Sequence, residues 1–430
     1  MGDTQKLRNR WLIAIMGTLL QLCLGTVYAW SYFQKLFVDK YNWDNVTVAW
    51  IFCLAIFFLG ASAAVGGIIL PKVGPRRLAM TGGFCFGLGY LVSAYAISLQ
   101  NSLTIPLFYI GYGAIGGTGL GLGYVTPVAT VAKWFPDKKG LATGMVVMGF
   151  GLGALIMSKI LAPNILAYTS NDFVMSFVYI GVIFTIIPML AGSFLVNPPA
   201  GYVPQGYNPP APASGAQAQK VAEKTASQCV LSGQFFMMWA IFFCNITAGI
   251  AIIGFQSPMI QDLFKKFQPE LTPQTLTSYG ATLIAVSAIF NGLGRFFWGS
   301  VSDKIGRVMA FRLILGTQIA IFAVLLKVEN PWIFGALICY IFLCYGGGFG
   351  TMPSFVSDVF GSKLMAVVYG FVLTAWSIAG IAGPQIFAYI KDQYKPDNAM
   401  ISFYSLSTAA AFLAVGFIVS LIIKKEKAKA

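Results

Sequence analysis

Two stretches decide the fold: Gly67-Ile-Ile-Leu-Pro71-Lys72-Val-Gly74-Pro-Arg76-Arg77 and Gly299-Ser-Val-Ser-Asp303-Lys304-Ile-Gly306-Arg307. Their glycines are identically spaced. Each closes the loop between the second and third apolar runs of its half of the chain. A loop repeated in both spacing and position marks a duplicated unit, as membrane folds built from internal repeats show. The copies differ at one position: Pro71 stands where the second copy has Asp303.

Outward from these loops the chain is apolar. Of its 430 residues 57% are hydrophobic and 10% charged, whereas a soluble domain carries about 25% charged residues. A helix needs roughly 20 apolar residues to cross a bilayer, and the runs here are far longer than the ~10-residue alternating strands of a barrel. The expected architecture is an all-α membrane protein of twelve transmembrane helices over 11–37, 46–70, 78–98, 104–132, 141–165, 173–196, 235–261, 274–300, 308–328, 331–357, 364–390 and 398–423. They form two pseudo-symmetric six-helix bundles, 1–196 and 233–430. Between them, 197–232 is rich in Pro, Ala, Gly and Gln and reads as a flexible cytoplasmic linker. The first run is too long for the core of a signal peptide and lacks a cleavage site, so it stays as a membrane helix.

An even helix count puts both termini on one side. Nineteen of the 28 lysines and arginines fall in loops on that side and seven on the other. Positive loops stay inside, which makes both termini and the linker cytoplasmic. Compact loops without transit features point to the inner or plasma membrane of a bacterium. The net charge of +14 is thus topology rather than a nucleic-acid footprint. No histidine is present, which removes His-ligated metal sites and His-dependent catalysis. The seven cysteines lack CxxC spacing and read as small buried hydrophobes. No nucleophile–base pair or metal cluster falls in the spans, so neither an enzyme, a cofactor nor a metal site is expected, and the expected assembly is a monomer.

All fourteen acidic residues lie in loops, termini or helix ends, and only Lys159 and Arg295 among the basic residues lie within spans. Lys159 is near the far end of its helix and can snorkel. Arg295 is roughly 10 Å deep, where a cation costs about 2.5–3.5 kcal/mol. With no membrane carboxylate to pair with it, its counterion is expected to be an anionic substrate, held in the bidentate fork that guanidinium forms with carboxylate. Asn291, one turn earlier on the same face, is placed to add a hydrogen bond to that substrate.

Several stretches resemble a known family. Gly299 to Arg307 resembles the loop signature of the major facilitator superfamily. Gly25-Thr-Val-Tyr28-Ala-Trp30-Ser31, Lys133-Trp-Phe-Pro-Asp-Lys-Lys-Gly140, Asn197-Pro-Pro-Ala-Gly201, Gly294-Arg295-Phe-Phe-Trp298-Gly299, Tyr369-Gly370 and Thr374-Ala-Trp376 together resemble its oxalate/formate antiporter and monocarboxylate transporter branch. The resemblance implies alternating access around a midplane site. It implies a small monocarboxylate such as lactate or pyruvate, carried in proton-coupled symport, with anion exchange of the oxalate/formate type as the alternative. It also implies a substrate cage of Arg295, Asn291, Tyr28, Tyr124, Tyr345 and Trp376 walled by Phe150 and Phe349, and a gating loop of Gly299, Asp303, Lys304, Gly306 and Arg307. Trp376 stands where the oxalate carriers of that branch have a second cation, a lysine. A single cation suits a monoanion.

The glycine runs Gly116–Gly123 and Gly149–Gly153 have no preceding strand and no following Gly-Lys-Ser/Thr. They read as close helix packing rather than nucleotide loops. Pro384 is a candidate bend in the eleventh helix.

Overall fold

The computed structural model describes residues 8–43, 45–207, 225–394 and 397–423. Twelve of its helices are long and apolar enough to cross a membrane. They are α1 (Arg10–Ala29), α2 (Val46–Val73), α3 (Pro75–Leu99), α4 (Thr104–Trp134), α5 (Lys139–Tyr168), α6 (Phe173–Ser193), α7 (Gly233–Ile250), α8 (Pro273–Ile305), α9 (Arg307–Leu325), α10 (Pro331–Phe360), α11 (Met365–Phe387) and α12 (Ala399–Ile422). Helix α1 continues through Trp30–Tyr41, and α7 runs on to Phe267. No strand occurs among the described residues.

Local chemistry sets the boundaries. Side chains of Asn9, Asp172, Ser232, Thr272, Asn330 and Asp397 cap the starts of α1, α6, α7, α8, α10 and α12 by accepting from backbone N–H groups of the first turn, which otherwise lack partners. Gly74 and Gly306, the matched glycines of the repeated loop, both adopt positive φ, 84° and 85°. Each turns the chain from one span directly into the next, in a conformation that a Cβ disfavours. The repeat is therefore structural as well as textual.

Each half packs as six helices, with α6 against α3 and α12 against α7 and α9. Outward faces stay apolar: Tyr95, Leu190, Val415 and Ile418 are exposed, as lipid-facing side chains are. The glycine run in α4 is packing, as expected. A Cβ on Gly119 would strike the α3 backbone at Phe86, and one on Gly121 the α2 backbone at Leu59. Six of the seven cysteines are buried and Cys85 is half-buried.

Three features depart from the sequence-based picture. Helix α1 tightens to a 3-10 turn at Gly25–Ala29, while α4 and α5 widen to π-helix at Tyr109–Gly116 and Met157–Leu161. Helix α11 is interrupted at Leu373, between Met365–Val372 and Thr374–Tyr394. Pro384 lies within the second of these helical segments. The ends of the linker are anchored. The Tyr202 ring packs on Trp134, whose indole N–H donates to the Val196 carbonyl. The short helix Ala226–Val230 carries a Thr225–Gln228 capping box and abuts the start of α11. Residues 208–224, the middle of the expected linker, lie outside the described residues.

Candidate functional site

The two halves meet along two seams, α5 against α8 and α2 against α11. Both close on the face where α1 begins and α12 ends. At the first seam, Cβ atoms on Gly140 and Gly144 would collide with the carbonyl oxygens of Gly299 and Arg295. At the second, those on Gly67 and Gly370 would meet the carbonyls of Ala366 and Ala63. Main chain thus rests on main chain. Helix α8 also lies directly on α10, where Gly346 and Gly350 leave room for the carbonyls of Asn291 and Arg295. These contacts fix the backbone from which Arg295 projects.

Arg295 is fully buried (0% exposed). Its Nε donates to Asn291 Oδ1, and its Nη1 to the Tyr124 hydroxyl and the Val147 carbonyl, each at a long 3.4 Å. The guanidinium lies 4.5 Å from the Phe349 ring centre and 5.3 Å from that of Phe150. Cation–π contacts of this kind are worth about 2 kcal/mol or more when desolvated, which offsets part of the burial cost. They do not neutralise the charge. Nη2 has no hydrogen-bond partner, and among the described residues Arg295 enters none of the ion pairs.

The expected cage residues converge around this cation. Phe150 and Trp376 are within ring-contact distance of each other and each of both Tyr28 and Tyr124, from 5.1 Å for Tyr124–Phe150 to 5.9 Å for Tyr28–Trp376. Phe349 joins them at 4.6 Å from Trp376 and 5.4 Å from Tyr345. The Tyr28 and Tyr345 hydroxyls share a 3.2 Å hydrogen bond across the two halves. Buried amides hold the backbone carbonyls of two fully buried tyrosines: Gln21 Nε2 donates to Tyr124 O at 2.9 Å, and Asn245 Nδ2 to Tyr345 O at 3.4 Å. Asn291 turns its oxygen onto Arg295, so it orients the guanidinium.

Sequence reasoning missed two members. Val147 contributes only its carbonyl, which no side-chain pattern reveals. Tyr369 lies next to the Tyr124 phenol and shares a side-chain hydrogen bond with it. Its signal was present: it stands seven residues, two helical turns, before Trp376.

The loop motif lies at the end of the first seam. Asp303 accepts from the backbone N–H groups of Gly140 and Leu141, both at 3.0 Å, and pairs with Arg307 at 2.7 Å. Arg307 reaches Asp358 at 2.9 Å, and Lys139 closes the set on Asp358 at 3.1 Å. Carboxylates suit this place because the first N–H groups of a helix carry partial positive charge. Lys304 is exposed and outside these pairs. In the first copy of the loop, Lys72, Arg76 and Arg77 enter none of the ion pairs among the described residues.

Residues 11–384 match the Major Facilitator Superfamily. The chain is 26% identical to the oxalate:formate antiporter of Oxalobacter formigenes over 97% of this chain and 93% of that one. It is 26% identical to apicoplast pyruvate carrier 1 of Toxoplasma gondii over 89% of this chain and 84% of that one. Its fold is similar to that of the E. coli fucose:proton symporter FucP, with a TM-score of 0.66 at 15% identity over 97% of this chain and 100% of the other.

Proposed function

The chain belongs to the major facilitator superfamily, and from that membership we propose a secondary active carrier of a small monocarboxylate of the lactate or pyruvate type, coupled to protons and working by alternating access in the inner or plasma membrane. One observation carries the substrate class: a fully buried arginine with an unpartnered Nη2, aromatic walls and no carboxylate paired with it among the described residues. A carboxylate supplies both the missing charge and the missing acceptor, in a bidentate geometry that guanidinium favours. Binding relieves the cost of an unpaired cation, so closure around a loaded site is cheaper than around an empty one. The gating role of Gly299, Asp303, Gly306 and Arg307 is part of the same proposal. The Asp303–Arg307–Asp358–Lys139 set holds the face of both termini shut and must open for substrate to pass there. That face is the cytoplasmic one by the distribution of basic loops.

A likeness to the oxalate:formate antiporter over nearly the whole chain supports anion exchange as the second reading. Against oxalate stands Trp376, a neutral side chain where the second cation is expected. Uptake into proteoliposomes decides. Lactate or pyruvate uptake should rise with an inward-acid pH gradient and vanish in Arg295→Ala. Equal uptake with and without the gradient removes symport, and unchanged uptake in the variant removes the site. Oxalate displacing lactate at equal or lower concentration would reverse the choice of substrate.

A further inference from the structure

Away from the cage, a groove of about 500 Å³ runs between α9 and α12 on the lipid-facing surface. That volume falls in the roughly 300–1,000 Å³ range of ligand pockets. Met309, Leu313, Ala320 and Phe417 wall it. Gly316 is its floor, where a Cβ would come within 3.1 Å of the Phe417 ring. From Met309 to Ala320 the helix rises roughly 16 Å, about one leaflet of a ~30 Å hydrocarbon core. The charged side chain of the lining is Arg312, in the second turn of α9 on the side of both termini. Its Nε and Nη2 donate to the Ser420 and Leu421 carbonyls at 3.0 and 3.3 Å, groups left over where α12 ends. A helix end carries only about half an elementary charge, so a net positive charge remains. Among the described residues Nη1 makes no hydrogen bond and Arg312 enters no ion pair. Thr317, at the deeper end, already donates to the Leu313 carbonyl and accepts from Tyr340. The groove is thus apolar along its length and cationic at one end.

The amino-terminal half is built differently at the matching place. Aligning Gly74 with Gly306 puts Met80 opposite Arg312 and Phe84 opposite Gly316. There α3 and α6 rest main chain on main chain: Cβ atoms on Gly87 and Gly192 would meet the backbone nitrogens of Thr185 and Met80. The fold therefore requires neither a groove nor a cation between these two helices. We propose that the α9/α12 groove holds one anionic phospholipid from the leaflet on the side of both termini. Its phosphate takes the free Nη1 of Arg312, and one acyl chain lies along Leu313, Gly316 and Ala320 against Phe417. Guanidinium is suited to phosphate, and a basic pocket between membrane helices is suited to an anionic headgroup. A zwitterionic headgroup would bring a second cation to an arginine that already lacks a carboxylate. An anionic one brings only the missing charge.

The test is native mass spectrometry of the purified full-length protein, titrated with phosphatidylglycerol or with phosphatidylcholine of the same acyl chains. Wild type should retain a phosphatidylglycerol about fivefold more tightly than a phosphatidylcholine, the effect of one basic residue beside an anionic lipid. Arg312→Gln should remove that preference and Arg312→Lys should keep most of it, a pattern that a role confined to capping α12 would not produce. Ala320→Phe, which fills the groove and leaves the cation in place, should weaken binding of both lipids several-fold. Thermal unfolding checks that each variant is folded. Equal retention of the two lipids by wild type, or an undiminished preference in Arg312→Gln, overturns the proposal. Unchanged binding in Ala320→Phe also overturns it, since a headgroup contact without the groove would remain. A protein dimer in place of the lipid adduct would assign the groove to a second copy of the chain and overturn it as well.

Discussion

The two seams are built alike and equipped differently. On both, a glycine rests on the main chain of the residue opposite: Gly144 on Arg295, Gly370 on Ala63. On both, the repeated loop abuts the start of the facing helix, Gly299 at Gly140 and Gly67 at Ala366. The α5/α8 seam adds a buried cation and an ionic lock. The α2/α11 seam has Ala63 in place of the cation and Pro71 in place of the lock's carboxylate, and it is held by small residues and the hydrogen bond from Ser377 to the Phe57 carbonyl. The repeat thus gives two matching main-chain contacts, and the differences between Arg295 and Ala63 and between Asp303 and Pro71 make the two seams unlike.

The strongest way to break this comparison is to move the charge. Arg295→Ala should reduce uptake to below about one-hundredth, since binding loses a charge-assisted hydrogen-bonded contact, without lowering the melting temperature of the empty protein, because an unpaired buried cation is removed. Adding Ala63→Arg should not restore uptake, as Asn291 and Tyr124 are arranged around α8. Restoration would show the halves to be interchangeable. Next come the shared contacts. Gly144→Leu and Gly370→Leu should each hold the terminal face open and cut transport more than tenfold, read as faster thiol labelling of a cysteine placed at buried Ser354. A large difference between the two variants would deny that the seams are equivalent. Smaller effects belong to the lock. Asp303→Asn should favour the open face by about 1–2 kcal/mol, while Pro71→Asp should favour closure by up to about 1 kcal/mol, if the new carboxylate reaches the first N–H groups of α11 as Asp303 reaches those of α5. Smallest is Lys139→Gln, worth about 0–1 kcal/mol for a partly exposed pair and vanishing in high salt.

How much of this was legible follows from what each feature depends on. Spans depend on length and hydropathy, and the repeat on spacing, so both could be read directly. The cage residues came together because resemblance carried their positions. Tyr369 served only as a landmark in that comparison: a hydroxyl's partner is set by its neighbours, which sequence does not name. The Val147 carbonyl was invisible for the same reason. Lys304 belongs to the motif by spelling but is exposed at the end of α8, where no carboxylate among the described residues pairs with it. The interruption at Leu373 carries no proline or glycine signal, whereas Pro384, which does, sits within a helical segment.

The glycine contacts carry a final consequence for how such a protein can change. At Gly144 and Gly370 the surface being gripped is the peptide carbonyl of residue 295 or 63, a group every amino acid possesses. Closure therefore does not inspect the side chain at either position. If Arg295 selects the substrate as proposed, substitutions at Arg295, Phe150 or Trp376 should change which solute is carried while leaving the Gly144 and Gly370 contacts, which touch only main chain, unaltered.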